Sequence, residues 1–133
     1  MDESILALSK YRMQKATDDL NSSEVLLNEK YYAQSINRSY YAIFHAVRAI
    51  LAFDKFDSKK HSGIIAYFNK NYVKSGIIEK QFSSILISAQ QIRTESDYDD
   101  LFIATQDDAD SQFNNAKLFI SRMVEFICNE KKN

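Results

Sequence analysis

Proline is absent from the 133 residues, glycine occurs twice, cysteine once and tryptophan not at all. The shortage of Pro and Gly excludes the all-β classes. Sandwiches and barrels use these residues for the special backbone angles of their many turns, and two glycines cannot punctuate seven or eight strands. Collagen-like and flexible-linker compositions go with them. The lone thiol, Cys128, can make no internal disulfide and no cysteine zinc site. A reducing compartment is the simplest expectation, with Cys128 a small buried or frayed-end residue rather than a nucleophile. Charge of one sign is also missing: 17 Lys and Arg stand against 18 Asp and Glu, a formal net charge of −1. The chain as a whole therefore has no pull toward nucleic acid or membrane. The densest apolar run, Tyr40 to Phe53, is interrupted by His45 and Arg48 and falls short of the roughly 20 residues a membrane span needs. The opening MDESILALSKYR has early acids and no basic region before an apolar stretch, unlike a secretory signal. A soluble, cytoplasmic protein with no membrane partner is expected.

What is present is apolar area: 45% hydrophobic residues, with 8 Tyr and 9 Phe. Disorder is excluded by that content. A chain of this size buries roughly 70% of its unfolded surface, enough for one domain over residues 1–133. Apolar spacing predicts five helices. The first, from about Ser4 to Asn28, places Met13, Ala16, Leu20, Ser23 and Leu27 on one face. The second, about Tyr32 to Phe53, carries Tyr40, Phe44, Val47 and Leu51 on one stripe and Ala42, Ala46 and Ala49 on another. A helix apolar nearly all round is central. Ser58 is expected to cap a third helix bearing Ile64, Ile65, Phe68 and Tyr72, with Gly76 as the stop. A fourth helix is read over about Ile78 to Thr94, an acidic loop over Glu95 to Gln106, and a Thr105/Asp108 capping pair before the last helix. That helix shows Ala109, Phe113, Ala116, Ile120, Met123, Val124 and Ile127 on one face. Phe119 and Phe126, a heptad apart beside this stripe, widen the core face or form a contact surface. With so few glycines, turns must rest on Asn, Asp, Ser and Lys. The fold class is all-α: an up-and-down antiparallel bundle of four to five helices.

Candidate chemistry concentrates in Asn37 to Ala49. Arg38 and His45 are seven apart, so they face the same way about 10 Å apart along the helix axis, with Tyr41 and Arg48 along the same side. An unpaired buried Arg is costly, so Arg38 and Arg48 should meet acids, for example Asp97 or Glu95, or reach solvent. One reading is a polar strip satisfied inside the bundle. The other is phosphate chemistry, in which an imidazole moves a proton and an Arg holds phosphate charge. That set would serve metal-independent RNA cleavage by attack of the 2′-hydroxyl on the adjacent phosphate, with Tyr40 or Tyr41 stacking on a base. Six lysines between Asp54 and Lys80 (55, 59, 60, 70, 74, 80) surround His61 and could meet a phosphate backbone. The segment from Arg93 to Asp110 is acidic and suits a basic partner protein or self-association. Two His sixteen residues apart make a weak zinc case, the Asp run lacks calcium-loop spacing, and no Gly-rich phosphate loop or G-x-S-x-G motif occurs. No cofactor and no metal are expected.

Arg38-Ser39-Tyr40-Tyr41-Ala42 with Phe44-His45-Ala46 resembles the second-helix signature of the HEPN domain family (higher eukaryotes and prokaryotes nucleotide-binding), in its small stand-alone prokaryotic branch. The resemblance continues through Lys60-His61-Ser62-Gly63, Phe68, Val73-Lys74-Ser75-Gly76, the Arg93 to Asp97-Tyr98 segment and a final helix ending near Phe126. It covers roughly residues 10 to 127. It implies a four- or five-helix bundle, often a homodimer, working around nucleotides or RNA. It also implies a role as one half of a toxin–antitoxin pair with a nucleotidyltransferase partner. Catalytic members are metal-independent ribonucleases whose motif is an Arg, four to six residues, then His, in a late helix near the dimer cleft. Here the late segment reads Arg93-Thr94-Glu95-Ser96-Asp97-Tyr98-Asp99-Asp100, with no His at the three positions the spacing allows. Arg38 and His45 have that spacing, but inside the second helix. Three functions follow as expectations: a nucleotide- or RNA-binding module using Tyr41, Arg48, His61, Arg93, Asp97 and Tyr98; a ribonuclease with Arg38 and His45 as catalytic residues; or an interaction bundle without chemistry.

Overall fold

The structure, a computed structural model, describes residues 2–132. Five α-helices occur among them: α1 (Glu3–Asn28), α2 (Tyr32–Leu51), α3 (His61–Phe68), α4 (Lys80–Tyr98) and α5 (Gln106–Lys131). They form an up-and-down bundle, and no strand is present among the described residues. The axis of the bundle is α2, as its all-round apolarity requires. Ile36, Ala42, Ile43, Ala46, Val47, Ala49, Ile50 and Leu51 are wholly buried, and α2 packs against α1, α4 and α5. The alanines let those neighbours approach closely. Phe68, Phe119, Met123 and Leu86 close the core from α3, α5 and α4. Phe119 is buried and Phe126 packs edge-on against Tyr72 with ring centroids 5.5 Å apart, so both widen the core face. Val124 departs from the expected face and is exposed. Cys128 is exposed too. No described helix is long and apolar enough to cross a membrane.

The turns show what replaces glycine. Left-handed backbone is filled by Lys30 (φ 69°) and Lys55 (φ 56°), and by Gly76 (φ 86°) after α3, which is the expected stop. The Thr105/Asp108 pair forms a full capping box at α5: Thr105 Oγ1 accepts from Asp108 N and Asp108 Oδ2 accepts from Thr105 N, both at 3.1 Å. Two boundaries differ from the sequence expectation. Glu95 to Tyr98 are helical, extending α4, because Arg93 and Asp97 pair one turn apart (3.6 Å) and add side-chain support to the last turn. Ser58 is not the N-cap of α3; Lys60 holds that position, and the Ser58 hydroxyl accepts from Lys60 N at 3.2 Å instead. After Phe68 the helix widens into a π turn over Asn69–Val73. That turn carries Tyr72, whose hydroxyl donates to Asp54 Oδ2 at 2.8 Å beside that of Tyr67 at 3.1 Å.

Gly63 is needed for close approach rather than for φ. A Cβ there would stand 2.6 Å from Ser58 Oγ and 3.1 Å from Ser58 Cβ. Gly63→Ala should therefore cost about 1–2 kcal/mol, read as a lowered urea midpoint at unchanged slope. Adding Ser58→Gly should recover much of the loss; no recovery would place the cost elsewhere.

Candidate functional site

On α1 a polar seam runs through the buried face. Ser9, Arg12, Ala16, Asp19 and Ser23 recur at alternating spacings of three and four, which keeps them on the side toward α2. Ser9, Arg12, Ala16 and Ser23 are buried, and the Asp19 side chain is 17% exposed. At the α1–α2 turn end, the Ser23 hydroxyl meets those of Ser35 and Ser39, and Ser35 Oγ donates to Ser23 O at 2.9 Å. This fully buried trio satisfies its own polar atoms while keeping the helices close.

The carboxylate of Asp19 joins the two residues that the sequence places two turns apart. Its Oδ1 accepts from Arg38 Nη1 at 3.0 Å, and its Oδ2 lies 3.7 Å from His45 Nε2. Arg38 also donates to Asn37 Oδ1 from Nε and Nη2 (3.0 and 2.6 Å), and Asn37 Nδ2 donates to Asp97 Oδ2 at 3.0 Å. Asp97 is in turn the partner of Arg93. The Arg93 guanidinium stands over the rings of Tyr40 (4.5 Å) and Tyr41 (5.7 Å), and that of Arg38 over Tyr41 (5.0 Å). Such stacking suits the weakly hydrated, planar guanidinium. Tyr40 bonds His61 Nδ1 at 2.8 Å, and the His61 ring stacks on Phe44 at 4.1 Å. Farther along α2, Arg48 Nη2 donates to Asp57 Oδ2 at 3.0 Å, and Arg12 Nη2 lies 3.4 Å from the same oxygen.

Arg38, Tyr41, His45, Arg48, His61, Arg93 and Asp97 thus gather along one side of α2. Tyr98 does not join them: it ends α4 with 74% exposure. The acids paired with Arg38 and Arg48 are Asp19 and Asp57, not Asp97 or Glu95. Asp19 comes from α1, which packs along this side of α2, and Asp57 from the connection before α3. Sequence reasoning missed Asp19 and Arg12, although a signal existed: two charged residues a heptad apart, in step with Ala16 and Ser23.

Burial sets the protonation states. It pushes the His45 imidazole down to about 4, and Lys15, Arg48, Arg38 and His61 add to the effect. Nδ1 of His45 is buried with no partner. Burial likewise lowers His61, helped by Arg93 and Arg48. Burial raises Asp19, and the Arg38 guanidinium offsets part of that rise. At neutral pH both imidazoles are uncharged, so His45 is no imidazolium acid, and in this form its free ring nitrogen can only accept a proton. Burial also raises the Tyr40 phenol, which keeps its hydrogen. With the Tyr40 hydroxyl as donor to His61 Nδ1, the tautomer that puts the ring hydrogen of His61 on Nε2 satisfies both groups. Two open clefts adjoin the set. One, of about 540 Å³, includes Asn37, Arg38, Ser96 and Asp97. The other, of about 600 Å³, includes Phe44, Arg48, Lys59 and His61. Among the described residues, no group of three or more His, Cys, Asp or Glu is placed to hold a metal ion.

Comparison with known proteins finds the family model described as "HEPN domain" matching residues 9–127. Two relatives come from Methanocaldococcus jannaschii. The one named "Putative toxin MJ0605" is 32% identical over 81% of this chain and 80% of its own. The one named "Putative toxin MJ0142" is 26% identical over 86% of this chain and 78% of its own. A "UPF0332 protein" of Thermotoga maritima is 27% identical over 89% of each chain.

Proposed function

Since the chain belongs to the HEPN domain family, we propose that it is a toxin-like module that binds RNA or nucleotides along the polar side of α2. The observation that carries this reading is the convergence of Arg38, Arg48, Arg93 and His61 with Tyr41 beside two open clefts. Guanidiniums and an imidazole N–H serve phosphate oxygens, and exposed ring edges serve bases. Arg38, Arg48 and Arg93 meet three carboxylates, Asp19, Asp57 and Asp97, and Lys59 in the second cleft adds positive charge. The face therefore keeps cationic character despite its ion pairs. The relatives' names support the toxin-like character. The family resemblance supports a homodimer and a nucleotidyltransferase partner protein. The burial of His45, 16% exposed beside Asp19 and lining neither cleft, favours binding without cleavage over a ribonuclease using Arg38 and His45.

The direct test incubates labelled RNA with the parent chain, His45→Ala and Arg38→Ala in EDTA. Retention of intact RNA by the parent, weakened in Arg38→Ala, is expected. Cleavage by the parent that disappears in His45→Ala would establish the ribonuclease instead. Light scattering behind size exclusion should give twice the chain mass at micromolar concentration; a single-chain mass would remove the homodimer.

A further inference from the structure

The Arg48 end of the polar face is built around one carboxylate that serves too many cations. Asp57 Oδ2 takes Arg48 Nη2 at 3.0 Å and Arg12 Nη2 at 3.4 Å, while Asp57 Oδ1 accepts from Ser58 N at 2.8 Å. The cations are the fixed part. The side chain of Arg12 is 8% exposed and pinned by Nη1 donating to Arg48 O at 2.9 Å, and that of Arg48 is 23% exposed. The carboxylate is the movable part, 51% exposed on the connection before α3. Around it lies the cleft of about 600 Å³ lined by Phe44, Arg48, Asp57, Ser58, Lys59 and His61. Asp57 is the only acid in that lining, against Arg48, Lys59 and the His61 N–H. His61 is prebuilt for the role, because the Tyr40 bond and the Phe44 stack fix the ring. Two guanidiniums on one carboxylate oxygen, with backbone N–H on the other, reproduce the donor pattern that binds a phosphate.

We propose that this cleft is a phosphate-group subsite, with Arg48, Lys59 and His61 as its donors and Asp57 as an internal carboxylate that occupies it until a phosphate displaces it. The inference rests on the nucleic-acid reading above only for the source of the phosphate. A terminal monoester, on a nucleotide or an RNA end, and a backbone diester offer the same oxygens. The monoester carries the extra charge that best replaces Asp57. Displacement leaves Arg12 facing the phosphate through the space the carboxylate vacates.

The test is a titration of the full chain with inorganic phosphate, followed by the His61 ring and Arg48 side-chain NMR signals. Saturable shifts at both are expected. Asp57→Asn should tighten binding by about three- to tenfold by removing the competing charge, and Arg48→Gln should weaken it by about tenfold. Lys59→Gln, an exposed change that cannot disturb folding, should weaken it by about threefold. Unsaturable shifts, or an Asp57→Asn chain that binds phosphate no better than the parent, would overturn the proposal. AMP and matched oligoribonucleotides with and without a 5′-phosphate then separate the sources: tighter binding of the phosphorylated end assigns the monoester, and equal binding overturns that preference. RNA binding without phosphate saturation at His61 sinks the subsite alone. Phosphate saturation without RNA binding sinks the nucleic-acid reading alone.

Discussion

Between pH 6.5 and 4.5 the parent chain should lose about 1–2 kcal/mol of unfolding free energy that a His45→Gln chain keeps. The imidazole titrates near 6.5 when unfolded and at about 4 when folded. Its contribution is complete above 6.5. As pH falls below 6.5 the unfolded chain takes up a proton that the folded chain refuses, so stability drains away until the folded value is reached. The full displacement corresponds to roughly 3 kcal/mol, and the water-facing edge of the ring, 16% exposed, reduces what is seen. Replacing Asp19 by Asn should steepen the parent's loss, since a carboxylate 3.7 Å from Nε2 eases protonation of the ring. Urea melts at half-unit pH steps measure both slopes. Equal slopes for parent and His45→Gln would mean that the ring is solvated, and would reopen the case for His45 as an acid–base group. His61 titrates in the same direction, so the slope of His45→Gln should shrink without vanishing.

Removing two guanidiniums from the face should cost most of the RNA affinity. Arg38→Gln with Arg48→Gln should weaken binding of a single-stranded oligoribonucleotide by about thirtyfold at 0.1 M salt and flatten the log–log salt slope by roughly 1.4. Both side chains are more than a fifth exposed, so their removal leaves no sealed cavity, and Gln retains a donor toward Asp19 and Asp57. Arg122→Gln, which removes one charge rather than two and at a site away from α2, is the control. Arg122 bonds Glu79 and Ile77 O and shares no partner with the α2 set, so the affinity should change by less than about twofold. A loss in the control half as large in free energy as that of the double variant would reduce the effect to overall charge. An unchanged affinity in the double variant would move the ligand off this face.

How far these outcomes could be read from the chain differs between fold and site. The bundle was legible because its signals are local. The apolar stripes of α2, the Thr105/Asp108 box and Gly76 all act within one or two turns. The end of α4 was misread because acids at Glu95 and Asp97 look like loop composition, while the support from Arg93 acts four residues away. The residues of α2 that gather on the face were legible as a set from helical spacing. Their partners were not, because pairing Arg38 with Asp19 and Arg12 with Asp57 depends on which helix packs on which side. Spacing along one helix carries no such information. The scarcity of glycine kept its meaning and gained detail. Lysines bear the strained turns at positions 30 and 55, and Gly63 is retained where Ser58 presses against α3.

The central claim is that the polar side of α2 meets nucleic acid. Backbone amide NMR of the full chain during titration with a short oligoribonucleotide in EDTA tests it directly. The largest shifts should fall on Asn37 to Arg48, the 57–61 connection and Arg93 to Asp97. Shifts confined to α5, or none at saturating RNA, would contradict it.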